Sequence, residues 1–129
     1  MAELRRNHPR GTPTGTAVLT TAGRLPARWV AHAVGPIWRG GASDEALLLA
    51  SAYRSALELA AGKGARSVAL PAISAGVYGY PIQDAARIGL ETARDHLAGE
   101  TTVERATFVL YSEDTFRVFE TELDRLARI

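Results

Sequence analysis

RSVALPAISAGVYGYP, residues 66–81, is the stretch that decides the fold. Its first half, 66–73, is an almost continuous apolar run without alternation, the pattern of a strand covered on both faces, and is predicted as a central strand. The second half, SAGVYGYP (74–81), is a short loop with two glycines, ending on Pro81, a residue suited to the first turn of a helix. Ile82, Ala86, Gly89, Leu90, Ala93 and Leu97 then form one apolar stripe at helical spacing, and Gly99 ends that helix. A buried strand feeding a helix through a tight loop is the building unit of a parallel α/β sheet.

Downstream, RATFVLY (105–111) reads as a further buried strand. Ser112 is placed to cap a last helix with Phe116, Phe119, Leu123 and Leu126 facing inward. Upstream, TAVLTT (16–21) is β-branched and short, and WVAHAV (29–34) is a second strand halted by Gly35-Pro36, with residues 22–26 as the connection. Ser43 is a candidate cap for a helix over 44–61, with Asp44 and Glu45 favourably placed in its first turn. On that helix Leu49, Tyr53, Leu57 and Ala60 recur at helical spacing, and Gly62-Lys63-Gly64 ends it. The expected class is α/β, with a sheet mostly parallel in its second half and helices on both faces.

Composition bounds the function. At 129 residues, 47% apolar and 22% charged, the chain is expected to be one globular domain over 1–129, without internal repeats. It has no Cys, which removes disulfides, zinc–thiolate sites and thiol nucleophiles together. The net charge of +1 gives no general preference for nucleic acid or anionic membrane. The basic start (Arg5, Arg6, Arg10, Arg24 and Arg28 within 1–28) is read as a solvated face rather than a nucleic-acid patch, because no aromatic residue interleaves with the first four of these arginines. No stretch approaches the roughly 18 apolar residues of a membrane span, and the start lacks a signal-peptide core, so a soluble cytoplasmic protein is expected.

Ligands of open α/β sheets bind beyond the carboxyl ends of strands. One such end is the 74–81 loop. Its backbone N–H groups, the positive end of the following helix and the small residues Ser74, Ala75 and Gly76 suit a phosphate; the other reading is a plain connecting loop. The loop lacks the GK[ST] ending of a P-loop and is not GxGxxG, which disfavours nucleotide hydrolysis and dinucleotide binding of the Rossmann type. The other end carries Tyr111, either a stacking surface for a base or a core tyrosine. Of the three histidines, His32 in its apolar strand reads as structural, and no two lie at metal-ligand spacing. Ser74 has no evident base partner, and no complete catalytic constellation is legible.

Taken together, GTPTGTAVLTTAGRLPARWVAHAVGPIW, RSVALPAISAGVYGYPIQDAARIGLETARDHL and ATFVLYSEDTFRVFETEL resemble the macro domain family, the ADP-ribose-binding α/β/α module. The densest motifs are PTG…LPA…HAVGP and PAISAGVYGYP. The resemblance implies a three-layer α/β/α domain with a mixed sheet, and a site in which Ser74, Ala75, Gly76, Val77 and Tyr78 wrap the diphosphate and distal ribose of ADP-ribose. It places Tyr111 on the adenine side. It implies ADP-ribose or a derivative as ligand, an ADP-ribosylated protein as a further partner, no cofactor and no metal, and links the chain to the O-acetyl-ADP-ribose deacetylase and ADP-ribosyl hydrolase branch.

The resemblance begins at the end of the first family helix. The adenine-recognising Asp, the NAAN-like motif and the GGGVD-like loop of the family have no counterpart in this sequence, so the opening strands are expected to be absent and the catalytic residues unassigned. The family's NAAN-bearing strand lies between the strands matching 66–73 and 29–34. The chain is therefore expected to hold two strand pairs facing a gap, unless the strands close up, a partner fills the slot, or the true start lies upstream.

Overall fold

A computed structural model describes residues 12–21, 27–76 and 78–127. Strand β1 (Ala17–Thr21) pairs antiparallel with β2 (Trp29–Ala33), Val18 facing His32 and Thr21 facing Trp29. The connection at 22–26 lies outside the described residues. Helix α1 (Glu45–Gly62) follows, then β3 (Ser67–Leu70), α2 (Ile82–Ala98), β4 (Arg105–Phe108) and α3 (Glu113–Ala127). Strands β3 and β4 pair in parallel, Ser67 beside Arg105 and Leu70 beside Phe108, so α2 is the crossover that the strand–loop–helix pattern predicts.

The core lies between the helices and the inner face of β3–β4. Leu49, Tyr53 and Leu57 of α1 are fully buried and pack with Leu70, Tyr80, Ala85 and Ile88. The Phe108 ring stands 5.8 Å from Tyr53 and 5.4 Å from Phe119, so one β4 side chain ties α1 to α3. Gly89 sits where a Cβ would come within 3.0 Å of the Tyr53 ring, which lets α1 and α2 approach closely. All three described helices cover this face. On the opposite face Ser67, Ala69, Arg105 and Thr107 are exposed, and the second helix layer expected from the sequence is not among the described residues.

Several local expectations need correction. Residues 66–73 are not a strand covered on both faces: only Ser67–Leu70 is strand, and Ser67 and Ala69 are exposed. The apolar run is real, but among the described residues β3 has a neighbour on one edge only. The last strand is likewise shorter than 105–111, leaving Val109 and Tyr111 exposed beyond it. In α3 the buried stripe runs through Phe119 and Glu122; Phe116 and Leu123 are each 53% exposed because they sit at its margins. Ser43 does not cap α1. Asp44 holds the cap position in the left-handed region (φ 60°) without a side-chain bond. Ser112 does cap α3, its Oγ accepting the Thr115 N–H at 3.1 Å.

The expected gap is present: the two sheets do not close up, and no strand joins β2 to β3 among the described residues. A groove of about 1260 Å³ separates them, lined by Val30, His32 and Val34 on one wall, Val68 and Leu70 on the other, and Ala56 and Ala60 of α1. The walls meet near one end, where a Cβ on Gly35 would overlap Ser74 Oγ and Ile73 Cγ2.

Candidate functional site

The segment from Pro71 to Pro81 is shaped from beneath by Tyr53. Its hydroxyl donates to the Pro71 carbonyl at 2.7 Å and accepts the Ile73 N–H at 2.9 Å, so one buried side chain fixes the chain as it leaves β3. Burial pushes the Tyr53 phenol well above its ordinary range, which keeps it a neutral donor. The next residue, Ser74, is in the left-handed region (φ 66°), a conformation rare outside glycine. The turn closes through two backbone bonds, Gly79 N–H to Gly76 C=O and Tyr80 N–H to Ser74 C=O, each 3.0 Å. Gly79 is also left-handed, at φ 73°.

Beside this turn lies a cavity of about 300 Å³ lined by Ala33, Gly35, Ile73, Ser74, Gly76 and Tyr78. The amides of Ser74 and Gly76 have no hydrogen-bond acceptor among the described residues. Ser74 Oγ is buried and also without a partner. The two amides are available to an anion or a polyol, whereas the enclosed Ser74 Oγ carries the cost of an unpaired buried polar atom. At Gly76 a Cβ would meet nothing within 4 Å, so the backbone there is open to a ligand. The turn leads into α2, whose first turn adds the positive end of a 17-residue helix dipole.

The structure thus brings Ser74, Gly76 and Tyr78 together at one cavity, with Ala75 packed against the core behind them. Val77 lies outside the described residues. Tyr111 is 99% exposed, which excludes the core reading, and it does not line the cavity; it follows β4 on the same side of the sheet on which the loop leaves β3. His32 Nε2 is 2.8 Å from Thr20 Oγ1 across the strand pair. His96 Nε2 is held at 2.7 Å by Thr101 Oγ1, and His8 lies outside the described residues. No cluster of three or more metal-ligating side chains occurs among the described residues. Among the described residues no helix is long and apolar enough to cross a membrane.

Sequence reasoning missed the second wall of the site. The segment linking β2 to α1 grips the loop twice, through Gly35 against Ser74 and through the Trp38 backbone N–H, which donates to the Tyr78 carbonyl at 2.9 Å. The Trp38 ring stacks obliquely on Tyr80, centroids 4.8 Å apart. Behind it Glu45 is 1% exposed, and its carboxylate accepts the N–H groups of Arg39 (2.9 Å), Gly41 (2.8 Å) and Ser43 (2.6 Å). Those amide bonds, the Arg39 amide foremost, hold its carboxyl at about 2, below the usual 4.5, against the opposing effect of burial. Its sequence signal was a carboxylate four residues after a Gly-Gly pair, at a helix start.

The comparisons with known proteins agree with this geometry. The family model for the macro domain matches residues 1–89. A macro domain-containing protein of Streptomyces griseus is 51% identical over 121 residues, covering 92% of this chain and 66% of that protein. An O-acetyl-ADP-ribose deacetylase of Citrobacter koseri is 51% identical over 108 residues, covering 84% of this chain and 61% of the enzyme. Among solved structures, the Oceanobacillus iheyensis macrodomain with ADP superposes with a TM-score of 0.91 at 38% identity, over 98% of this chain and 67% of that one. The Trypanosoma brucei macrodomain in complex with ADP-ribose gives 0.79 at 36% identity, over 88% and 47%. This chain therefore spans about two thirds or less of the length of these relatives. On the family match over most of its length and the fold it shares with these structures, the chain belongs to the macro domain family.

Proposed function

We propose that this chain binds ADP-ribose, with Ser74, Ala75, Gly76, Val77 and Tyr78 around the diphosphate and distal ribose and Tyr111 on the adenine side. The observation that carries the reading is the cavity beside the 74–80 turn, where the Ser74 and Gly76 amides, without acceptors among the described residues, offer donors to an anion without any basic side chain. Relatives solved with ADP and with ADP-ribose support the choice of ligand. For the whole protein the proposed activity is hydrolysis of O-acetyl-ADP-ribose or of protein-linked ADP-ribose, in a cytoplasmic setting. Relatives named O-acetyl-ADP-ribose deacetylase support it. The chain's own contribution is to hold the diphosphate and present the distal ribose.

A second reading, a reader that holds ADP-ribose without turnover, is favoured by one observation: the residues lining the cavity include no general base for Ser74 or for a water. Incubating the chain with O-acetyl-ADP-ribose separates the two. Recovery of unchanged ligand alongside tight binding supports the reader; release of acetate supports the hydrolase; absence of binding rejects both.

A further inference from the structure

We propose that Glu45 is a positioning residue for the ligand loop: its buried carboxylate gathers the Arg39, Gly41 and Ser43 amides and so holds Trp38 where Trp38 fixes Tyr78. A carboxylate taken out of water is costly unless its oxygens are satisfied, and among the described residues no cation pairs with Glu45. Three backbone amides satisfy it instead. They can reach it only because the chain folds back on itself through Gly40 (φ 97°), Gly41 (φ 93°) and the left-handed Asp44. A first-turn glutamate that served only the helix dipole would stand exposed on α1; this one points back into the preceding segment, up to six residues away.

What the carboxylate organises is the grip on the 74–80 turn. The Trp38 ring packs on Gly41, whose added Cβ would lie 3.0 Å from the indole, and stacks on Tyr80. With the ring seated, the Trp38 backbone N–H reaches the Tyr78 carbonyl, on the rim of the cavity. The chain of contacts is continuous from Glu45 to the ligand loop without Glu45 touching the cavity. Its consequence for affinity rests on the ADP-ribose reading above; its consequence for the loop does not.

The test is Glu45→Gln in the full chain, with Glu45→Asp as a second variant. Glutamine keeps the size but turns an NH2 donor toward an amide donor. Hydrogen exchange of the Gly79 and Tyr80 amides is read without ligand, and ADP-ribose affinity by calorimetry. We expect faster exchange at both amides and an affinity roughly tenfold weaker in Glu45→Gln, with Glu45→Asp intermediate because it keeps the charge and shortens the reach. Phe119→Leu, in the α3 core, serves as the stability control and is expected to lower the melting temperature with both readouts unchanged. Parent-like exchange and affinity in a folded Glu45→Gln protein overturn the proposal. If Glu45→Gln does not fold, parent-like readouts in Glu45→Asp overturn it equally. If the parent itself shows no ADP-ribose binding, the functional reading fails while the exchange comparison still decides the role of Glu45.

Discussion

At the scale of single residues, the site depends on atoms whose importance is set by distant partners. Tyr53 is the clearest case. Its helical spacing marks it as core, and it is core, but its hydroxyl also bridges the Pro71 carbonyl and the Ile73 amide. Nothing in the spacing of α1 announces a partner 18 and 20 residues downstream. Tyr53→Phe leaves both groups unsatisfied in a buried setting and is expected to lower the unfolding free energy by about 1–3 kcal/mol. A denaturant melt checks this, and an unchanged midpoint would mean that water replaces the hydroxyl. Gly35 is the complementary case, since a Cβ there overlaps Ser74 and Ile73. Gly35→Ala is expected to displace Ser74 and weaken ADP-ribose binding by roughly tenfold or more, read by calorimetry. The Gly35-Pro36 pair was legible as a strand stop; its contact with Ser74 was not, because that contact crosses between two sheets.

At the scale of elements, helices were legible and strand environments were not. Stripes such as Leu49, Tyr53 and Leu57 report which face of a helix is apolar, and that face must be buried somewhere. An apolar run such as 66–73 reports only what both faces of a strand could tolerate, so it could not show that β3 has one neighbour among the described residues and an exposed face. The two helix starts make a matched test of cap chemistry. Ser112→Ala removes a side-chain cap of α3 and is expected to cost about 0.5–2 kcal/mol. Ser43→Ala is expected to cost less than about 0.5 kcal/mol, because Ser43 contributes its backbone N–H rather than its hydroxyl. Equal losses in the two melts would contradict this assignment. The start of α1 also carries a pH signature. With the Glu45 carboxyl at about 2 when folded and near 4.5 when unfolded, its contribution is complete above the unfolded value and is lost as pH falls from about 4.5 toward 2. The acid limb of a melting-temperature profile is expected to be shallower in Glu45→Gln than in the parent across that window.

At the scale of the whole molecule, two half-sheets share one helical layer, and the ligand loop leaves the parallel half at the point where the halves touch. That placement explains why the 74–81 wall of the candidate site was legible in the sequence while its second wall was not: the first is local in sequence, and the second is assembled by α1 and the segment that precedes it. A site whose donors are amides rather than a basic surface is compatible with a chain of net charge +1. Gly76 isolates this claim most cleanly. Its added Cβ meets nothing within 4 Å, so Gly76→Val is expected to keep the fold while adding bulk at the cavity. Calorimetric titration of ADP-ribose into the parent and into Gly76→Val is therefore the most direct measurement. The account predicts saturable binding to the parent and its loss in a variant that melts as the parent does. No binding to the folded parent, or equal binding to both, would contradict it.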